Sequence, residues 1–461
     1  MSNLNRDILY LLFEQLQDDK KTLYSCLLVN KTWCEITVSI LWRNPWGFLK
    51  KKNERPLLNV IISHLSNVSR NKIGECELFS NFHRKPSFNY ISYCRHLNLD
   101  EIQRIINENI KEKSNILNVR NEILNLFINE NTKFTHLHMR KSFKHQIHHG
   151  AERCFSEIEF LSCNTNIDNI VLTKLIESCN SIKELKLFID LENNNYRIIK
   201  LIEAQRRLFN IDLHYAYDNE PFYKIFEDSL MKHASTIRYY RINRRPSTSF
   251  LSSLANLREL DFDCLQFHNI QPWNNLESLS FPFLQILRSS NVPIEFLTSL
   301  INNTSGSLIE IKIDYVGHDE IGNKKLIQAI YQKCPNIKYL TLLIRNCNML
   351  ELEKLFISCQ HLNGLYILIN NNQDRLFDWD KLFEILTKSS STSLFKIKFH
   401  SNELPAFETF KLFFDNWKGG PPMFSRNIYD NITDSKLIER YRLEGIIVKE
   451  FNYFQRTEDF E

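Results

Sequence analysis

Hydrophobic positions in the first forty residues recur at helical spacing in three short runs. Ile8, Leu9, Leu12, Phe13 and Leu16 form the first, the polar stretch from Gln17 to Lys21 interrupts it, and Leu23, Cys26 and Leu27 form the second. After Asn30 and Lys31, the residues Trp33, Ile36 and Ile40 fall on one stripe at i, i+3 and i+7. The pattern predicts three short helices around one small core. A unit of this size is marginal without disulfides, metal or further packing, so it is expected to pack on something else.

Further along the chain the period changes. The motif apolar-x-x-apolar-x-apolar begins at Cys94, Phe134, Phe155, Ile182, Leu208, Ile237, Leu257, Leu276, Leu308, Ile337, Leu362 and Leu394, at a mean spacing of about 27 residues. Amphipathic helical segments at 168–179, 323–334, 348–359 and 378–390 lie between these motifs. Cys179, Cys334 and Cys359 each open the same string, Cys-x-x-(Ile/Leu)-x-x-Leu-x-(Leu/Ile). The expected fold is α/β, a repeat solenoid with a curved parallel sheet inside and helices outside. A doubly wound α/β fold gives the same alternation of strand and helix and stays open at this point.

Side chains alternate along a strand, so the residues between the apolar positions face away from the core. These are His96, Asn98 and Asp100; His136, His138 and Arg140; Glu157 and Glu159; Glu184, Lys186 and Phe188; Tyr239 and Arg241; Glu259, Asp261 and Asp263; Glu310, Lys312 and Asp314; Tyr339 and Thr341; Tyr366; and Lys396, Lys398 and His400. A histidine-rich start, an acidic middle and a basic end with interspersed aromatics suit a protein or peptide partner. The candidate target-binding residues are His136, His138, Glu184, Lys186, Phe188, Tyr239, Arg241, Glu259, Asp261, Tyr339, Tyr366, Lys396 and Lys398.

Composition narrows the function classes. With 43% hydrophobic and 24% charged residues over 461 positions the chain is of ordinary globular type. Its formal net charge of +4 is too small at this length to suggest nucleic-acid binding. No apolar run long enough to span a membrane and no signal-peptide order is seen, so a soluble protein of the cytoplasm and/or nucleus is expected. Eleven cysteines without a C-x-x-C pair read as reduced, buried thiols. The cluster THLHMRKSFKHQIHHG holds His136, His138, His145, His148 and His149, but meets no zinc spacing. No P-loop, nucleophile elbow, HExxH or dinucleotide fingerprint occurs. Neither metal nor cofactor is expected.

The N-terminal pattern, carried by Leu4, Asp7, Ile8, Leu9, Phe13, Leu16, Leu23, Cys26, Val29, Asn30, Lys31, Trp33 and Trp42, resembles the F-box. In that family it attaches substrate receptors to the Skp adaptor of cullin-RING (SCF) ubiquitin ligases. The family usually has Leu-Pro at the start of its first helix, and here Leu4 is followed by Asn5, itself a good helix N-cap. A plain three-helix amphipathic bundle shares the same apolar spacing. The later motifs resemble the cysteine-containing leucine-rich repeats that often follow an F-box. The resemblance implies an F-box at 1–46, a connector at 47–92, repeats at 93–432, and a C-terminal cap and tail at 433–461. It implies adaptor binding through Leu4, Ile8, Leu9, Phe13, Leu16, Leu23, Val29 and Trp33, with Leu9, Phe13 and Trp33 making the contact or supporting it directly. A cullin scaffold and an unidentified protein target would be the partners, and the chain itself would perform no bond chemistry. A scaffold acting outside any ligase and an enzyme using the histidine cluster are the other readings.

Overall fold

Polar side chains start the three N-terminal helices, α1 (Arg6–Gln15), α2 (Lys20–Cys26) and α3 (Lys31–Leu41). Side-chain oxygens of Asn5, Asp19 and Asn30 accept the backbone N–H groups of Asp7, Thr22 and Trp33 at 3.2, 3.1 and 2.9 Å. Each cap satisfies a donor that the helix end leaves without an internal partner. Leu9, Phe13, Leu23, Cys26, Ile36 and Ile40 fill the core between the helices, flanked by Tyr10, Leu16, Trp33 and Leu41. Trp33 meets Phe13 edge-on at 4.9 Å.

The computed structural model describes residues 5–47, 49–73, 86–110, 112–140, 151–190, 194–215, 220–264, 273, 279–314, 319–369, 377–391, 393–401, 405–417, 423–427, 439, 443 and 447–451. The chain divides into two compact units, Met1–Leu230 and Met231–Glu461. In the first, α4 (Glu54–Ser63), α5 (Asn67–Ile73) and α6 (Tyr90–Tyr93) lead into β1 (His96–Asn98), α7 (Leu99–Asn109), α8 (Lys113–Phe127), β2 (His136–Met139) and β3 (Phe160–Asn164). Then come α9 (Asn169–Ser178), β4 (Glu184–Ile189), α10 (Ile198–Glu203), β5 (Asn210–Tyr215) and α11 (Glu220–Leu230). The second unit runs β6 (Tyr239–Ile242), α12 (Thr248–Ser253), β7 (Glu259–Asp263), β8 (Ile286–Ser290), α13 (Ile294–Asn302), β9 (Glu310–Asp314) and α14 (Glu320–Lys333). It continues through β10 (Tyr339–Leu343), α15 (Met349–Ser358), β11 (Gly364–Leu368), α16 (Trp379–Ser389), β12 (Lys396–His400), α17 (Phe407–Asn416), β13 (Met423–Asn427) and β14 (Ile447–Phe451).

Within each unit every strand pairs in parallel with the next one in sequence. A doubly wound sheet reverses its order part-way, so this order excludes that alternative inside either unit. Right-handed crossovers taken always in the same direction put their helices on one face. Successive helices accordingly touch, α9 to α10 and α10 to α11 in one unit, α13 through α17 in the other. Among the described residues the opposite face of each sheet, the open face, carries no helix. The stretch 433–461, expected as a terminal cap and tail, holds β14, which pairs with β13 as a further parallel strand. The rest of the cap and tail expected at 433–461 lies almost wholly outside the described residues.

A ladder of shared carbonyls sets the register. The Arg95 carbonyl accepts the N–H groups of Thr135 and His136, Thr135 those of Glu159 and Phe160, Glu159 those of Lys183 and Glu184, and Lys183 those of Phe209 and Asn210, all at 2.7–3.1 Å. The first rung lies outside the sheet. The Arg43 carbonyl, just past α3, accepts from Arg95 and His96 at 2.9 and 3.0 Å. Trp46 Nε1 donates to the His96 carbonyl at 2.8 Å, and Arg43 pairs with Glu14 of α1 at 2.7 Å. The segment after α3 thereby occupies the edge of β1 that an exposed strand would leave unpaired. Arg238, Arg258, Gln285, Ile309, Lys338 and Asn363 repeat the device in the second unit.

The recurrent cysteines end helices. Cys179, Cys334 and Cys359 are the C-cap residues of α9, α14 and α15, each donating its N–H back into the last turn. The Cys179 thiol also donates to the Phe155 carbonyl of the preceding repeat at 3.0 Å. Burial pushes all three thiols up to about 12, so they stay protonated and act as small apolar plugs. In the next repeat Gln205 does the equivalent work, donating to the carbonyls of Cys179 and Leu201 and accepting from Ile182 N.

One motif sits elsewhere than its sequence register. The stretch CFSEIEFLSC fits both Phe155-x-x-Ile158-x-Phe160 and, three residues later, Ile158-x-x-Leu161-x-Cys163. The structure adopts the second, burying Leu161 and Cys163 and turning Phe160 outward. Glu157 and Glu159 precede the strand and pair with Lys133 and Lys183. Leu276, where a motif is expected, lies outside the described residues; the next described strand is β8, whose inward positions are Leu287 and Ser289.

Candidate functional site

Strand register sorts the open face of the first unit into rows. His96, His136 and Phe160 are cross-strand partners. Their rings form a column, His96 on His136 at 3.7 Å and 7°, His136 on Phe160 at 5.4 Å and 22°. Strands about 4.8 Å apart bring same-row rings to this spacing without special geometry. The next row holds His138, Ser162, Lys186 and Asp212. Lys186 Nζ lies 2.6 Å from Asp212, and His214 Nε2 lies 2.9 Å from the other Asp212 oxygen. In the last row Asn164, Phe188 and His214 are partners, with Phe188 and His214 stacked at 4.8 Å. The Arg140 guanidinium sits over the Phe188 ring at 3.8 Å.

This face is mostly uncharged. Burial pushes the His96 imidazole down to about 3, with His136, His138 and Arg43 adding to the effect. Burial also lowers His136 and His138. All three are neutral at physiological pH. For Asp212 burial works upward, but bonds to His214 and Lys186 outweigh it and leave the carboxyl below its usual range.

The second unit is built differently. Its open face alternates charge across strands. Arg241 lies 3.3 Å from Asp261 and 2.8 Å from Asp263, both on the neighbouring strand. Arg288 reaches Glu310 at 2.8 Å on one side and Glu259 at 3.7 Å on the other. Toward the C-terminal end Tyr339 and Tyr366 sit on adjacent strands, with Tyr366 in register with Lys398 and Gly364 with Lys396.

The thirteen candidate target-binding residues therefore all lie on strands at open-face positions. His136, His138, Glu184, Lys186 and Phe188 come together in the first unit. Tyr239, Arg241, Glu259, Asp261, Tyr339, Tyr366, Lys396 and Lys398 belong to the second. Sequence reading missed Phe160, Asp212, His214 and Arg288. Reading Cys163 as an inward residue would have found Phe160, and tolerating serine at an inward position would have found Arg288. The histidines at 145, 148 and 149 lie outside the described residues. Among the described ones no group of three or more His, Cys, Asp or Glu residues is placed to hold a metal.

The N-terminal candidates separate into core and surface. Leu9, Phe13 and Leu23 are buried, so they support any docking surface from beneath and are not part of it. Leu16 and Trp33 pack half-buried on that core. Ile8 and Val29 are exposed, together with Leu11, Leu12, Tyr24 and Leu28, the last 89% exposed. Ile8, Leu11 and Leu12 share a face of α1 at i, i+3 and i+4, and Tyr24 and Leu28 are four apart. Single exposed apolar residues are normal, but here six are concentrated in one small module. Leu4 lies outside the described residues.

No family model matches the chain, and no curated protein matches it. Among solved structures, the leucine-rich-repeat-containing protein LegL7 from Legionella pneumophila is similar, at 16% identity over 61% of this chain and 87% of that one, with a TM-score of 0.34. The repeat assignment rests on the strand order and carbonyl ladders above. Each unit is a stack of strand–helix repeats on one parallel sheet. No described helix is long and apolar enough to cross a membrane.

Proposed function

We propose that this chain is a non-catalytic target receptor of an SCF-type ubiquitin ligase. Its N-terminal helices dock on the Skp adaptor, which links to a cullin scaffold, and its repeats hold a protein target. The observation that carries this reading is the exposed apolar face of α1 and the end of α2 beside a well-packed core. The F-box resemblance supplies the identity of the partner. Such a receptor accelerates transfer by raising the effective concentration of its target near the charged ubiquitin carrier.

Leu12→Asp with Leu28→Asp leaves the core intact and puts two charges on the exposed face. Adaptor affinity should fall roughly a hundredfold or more, because each buried leucine contributes about 1.5–3 kcal/mol. Retained co-purification with the adaptor, at unchanged thermal stability, would overturn the assignment. The surface pair is a cleaner test than Leu9 and Phe13, whose replacement by aspartate would unfold the core. A repeat scaffold acting outside a ligase is the second reading, supported by Asn5 at the position where the family usually has proline. Adaptor capture without cullin would favour it.

A further inference from the structure

Resting on the reading that the open face holds a protein target, we propose that the first unit recognises an extended peptide segment with a carboxylate and an aromatic side chain about four residues apart. Two observations carry this. Arg140 has no ion pair among the described residues, and its side chain is held by Phe188, at 3.8 Å from guanidinium carbon to ring centre. Stacking on a ring fixes a guanidinium while leaving its fork of N–H donors for a carboxylate. Its backbone N–H is already taken by Asp100 at 2.8 Å, so the strand end itself is pinned. The neighbouring cation, Lys186, is occupied by Asp212. Arg140 is thus the pre-placed charge of this face that still calls for an anion.

The second observation is the ring column of His96, His136 and Phe160, which presents aromatic surface without charge. His138 lies between the two features, 4.9 Å from Phe160. From His136 to Arg140 is four residues, along β2 and just past its end, about 13 Å at 3.3 Å per residue. A peptide lying extended over the face spans the same distance in the same number of residues. Its acidic side chain then meets Arg140 while its aromatic side chain packs on the column. Extended segments read by pockets for spaced side chains are an established mode of peptide recognition, and a carboxylate on a stacked arginine adds a charge-assisted, bidentate bond.

The test is peptide display against the full-length chain, followed by affinity measurement of the enriched peptides on wild type and Arg140→Ala. We expect enriched sequences to pair Asp or Glu with Phe, Tyr or Trp at a separation of about four. Changing the acidic residue to its amide should weaken binding about tenfold on wild type and have little effect on Arg140→Ala. Arg140→Lys, which keeps the charge and loses the fork, should fall between. If the amide change costs the same on both proteins, or if enriched peptides lack the acidic residue, the proposal is wrong while the open-face reading stands. If no displayed peptide is sensitive to Arg140, Phe160, Tyr339 or Tyr366 substitution, the open-face reading itself fails.

Discussion

The two open faces solve the same problem in opposite ways. In the second unit Arg241 pairs with two carboxylates of one neighbouring strand and Arg288 with one on each side, so charge is consumed inside the protein. In the first unit rings stack on rings, His96, His136 and His138 are neutral, and Arg140 leans on a ring instead of an anion. The lesson is that an arginine in a repeat strand is not by itself a binding residue. What its neighbours on the flanking strands carry decides whether it braces the sheet or waits for a ligand.

The sharpest way to break this contrast is to delete the bracing arginine. Arg241→Ala removes a close cation from Asp261 and the buried Asp263, and should destabilise the second unit by about 2–3 kcal/mol, read by urea unfolding or hydrogen exchange of β6 and β7. A loss below about 0.5 kcal/mol would mean that the ladder of charges is ornamental.

A smaller effect is expected from acid on the first unit. The unfolded chain takes up protons on its histidines below about pH 6.5, whereas folded His96 resists protonation until about pH 3. The unfolded state therefore binds more protons in this window, and stability falls as pH is lowered through it. Because the ring is partly solvated, the loss between pH 6.5 and 4.5 is discounted to about 1–2 kcal/mol. His96→Phe keeps the stack and removes the titration, so it should flatten the pH dependence of hydrogen exchange in β1–β3. The smallest change is expected for Arg140→Ala, which should shift stability by under about 0.5 kcal/mol while altering peptide affinity. A large destabilisation there would make Arg140 a brace like the others.

Strand positions were legible because inward residues must be apolar every second place, and that rule fixes which side chains face out. It failed where two registers three residues apart were equally apolar, at Phe155 and Ile158, and where Ser289 occupied an inward position. The division of the N-terminal helices into core and surface was not legible. Ile8, Leu9, Leu12 and Phe13 are all apolar, and only packing distinguishes the two that are buried. Cross-strand ion pairs were equally hidden, since Arg241 and Asp263, or Arg288 and Glu310, are joined by register and not by sequence proximity. The three-helix start, the capping by Asn5 and the cysteine-ended helices were visible because each is a local device.

The ladder of shared carbonyls also bears on how the chain is made. Each strand of the first unit needs only its immediate predecessor to dock, and that predecessor has always left the ribosome earlier. Such a stack can assemble in step with synthesis, one repeat at a time, without waiting for distant partners. The first acceptor on that ladder is the Arg43 carbonyl, just past the three N-terminal helices. The module that the proposed function assigns to adaptor docking would then also be the template on which the nascent sheet begins to grow.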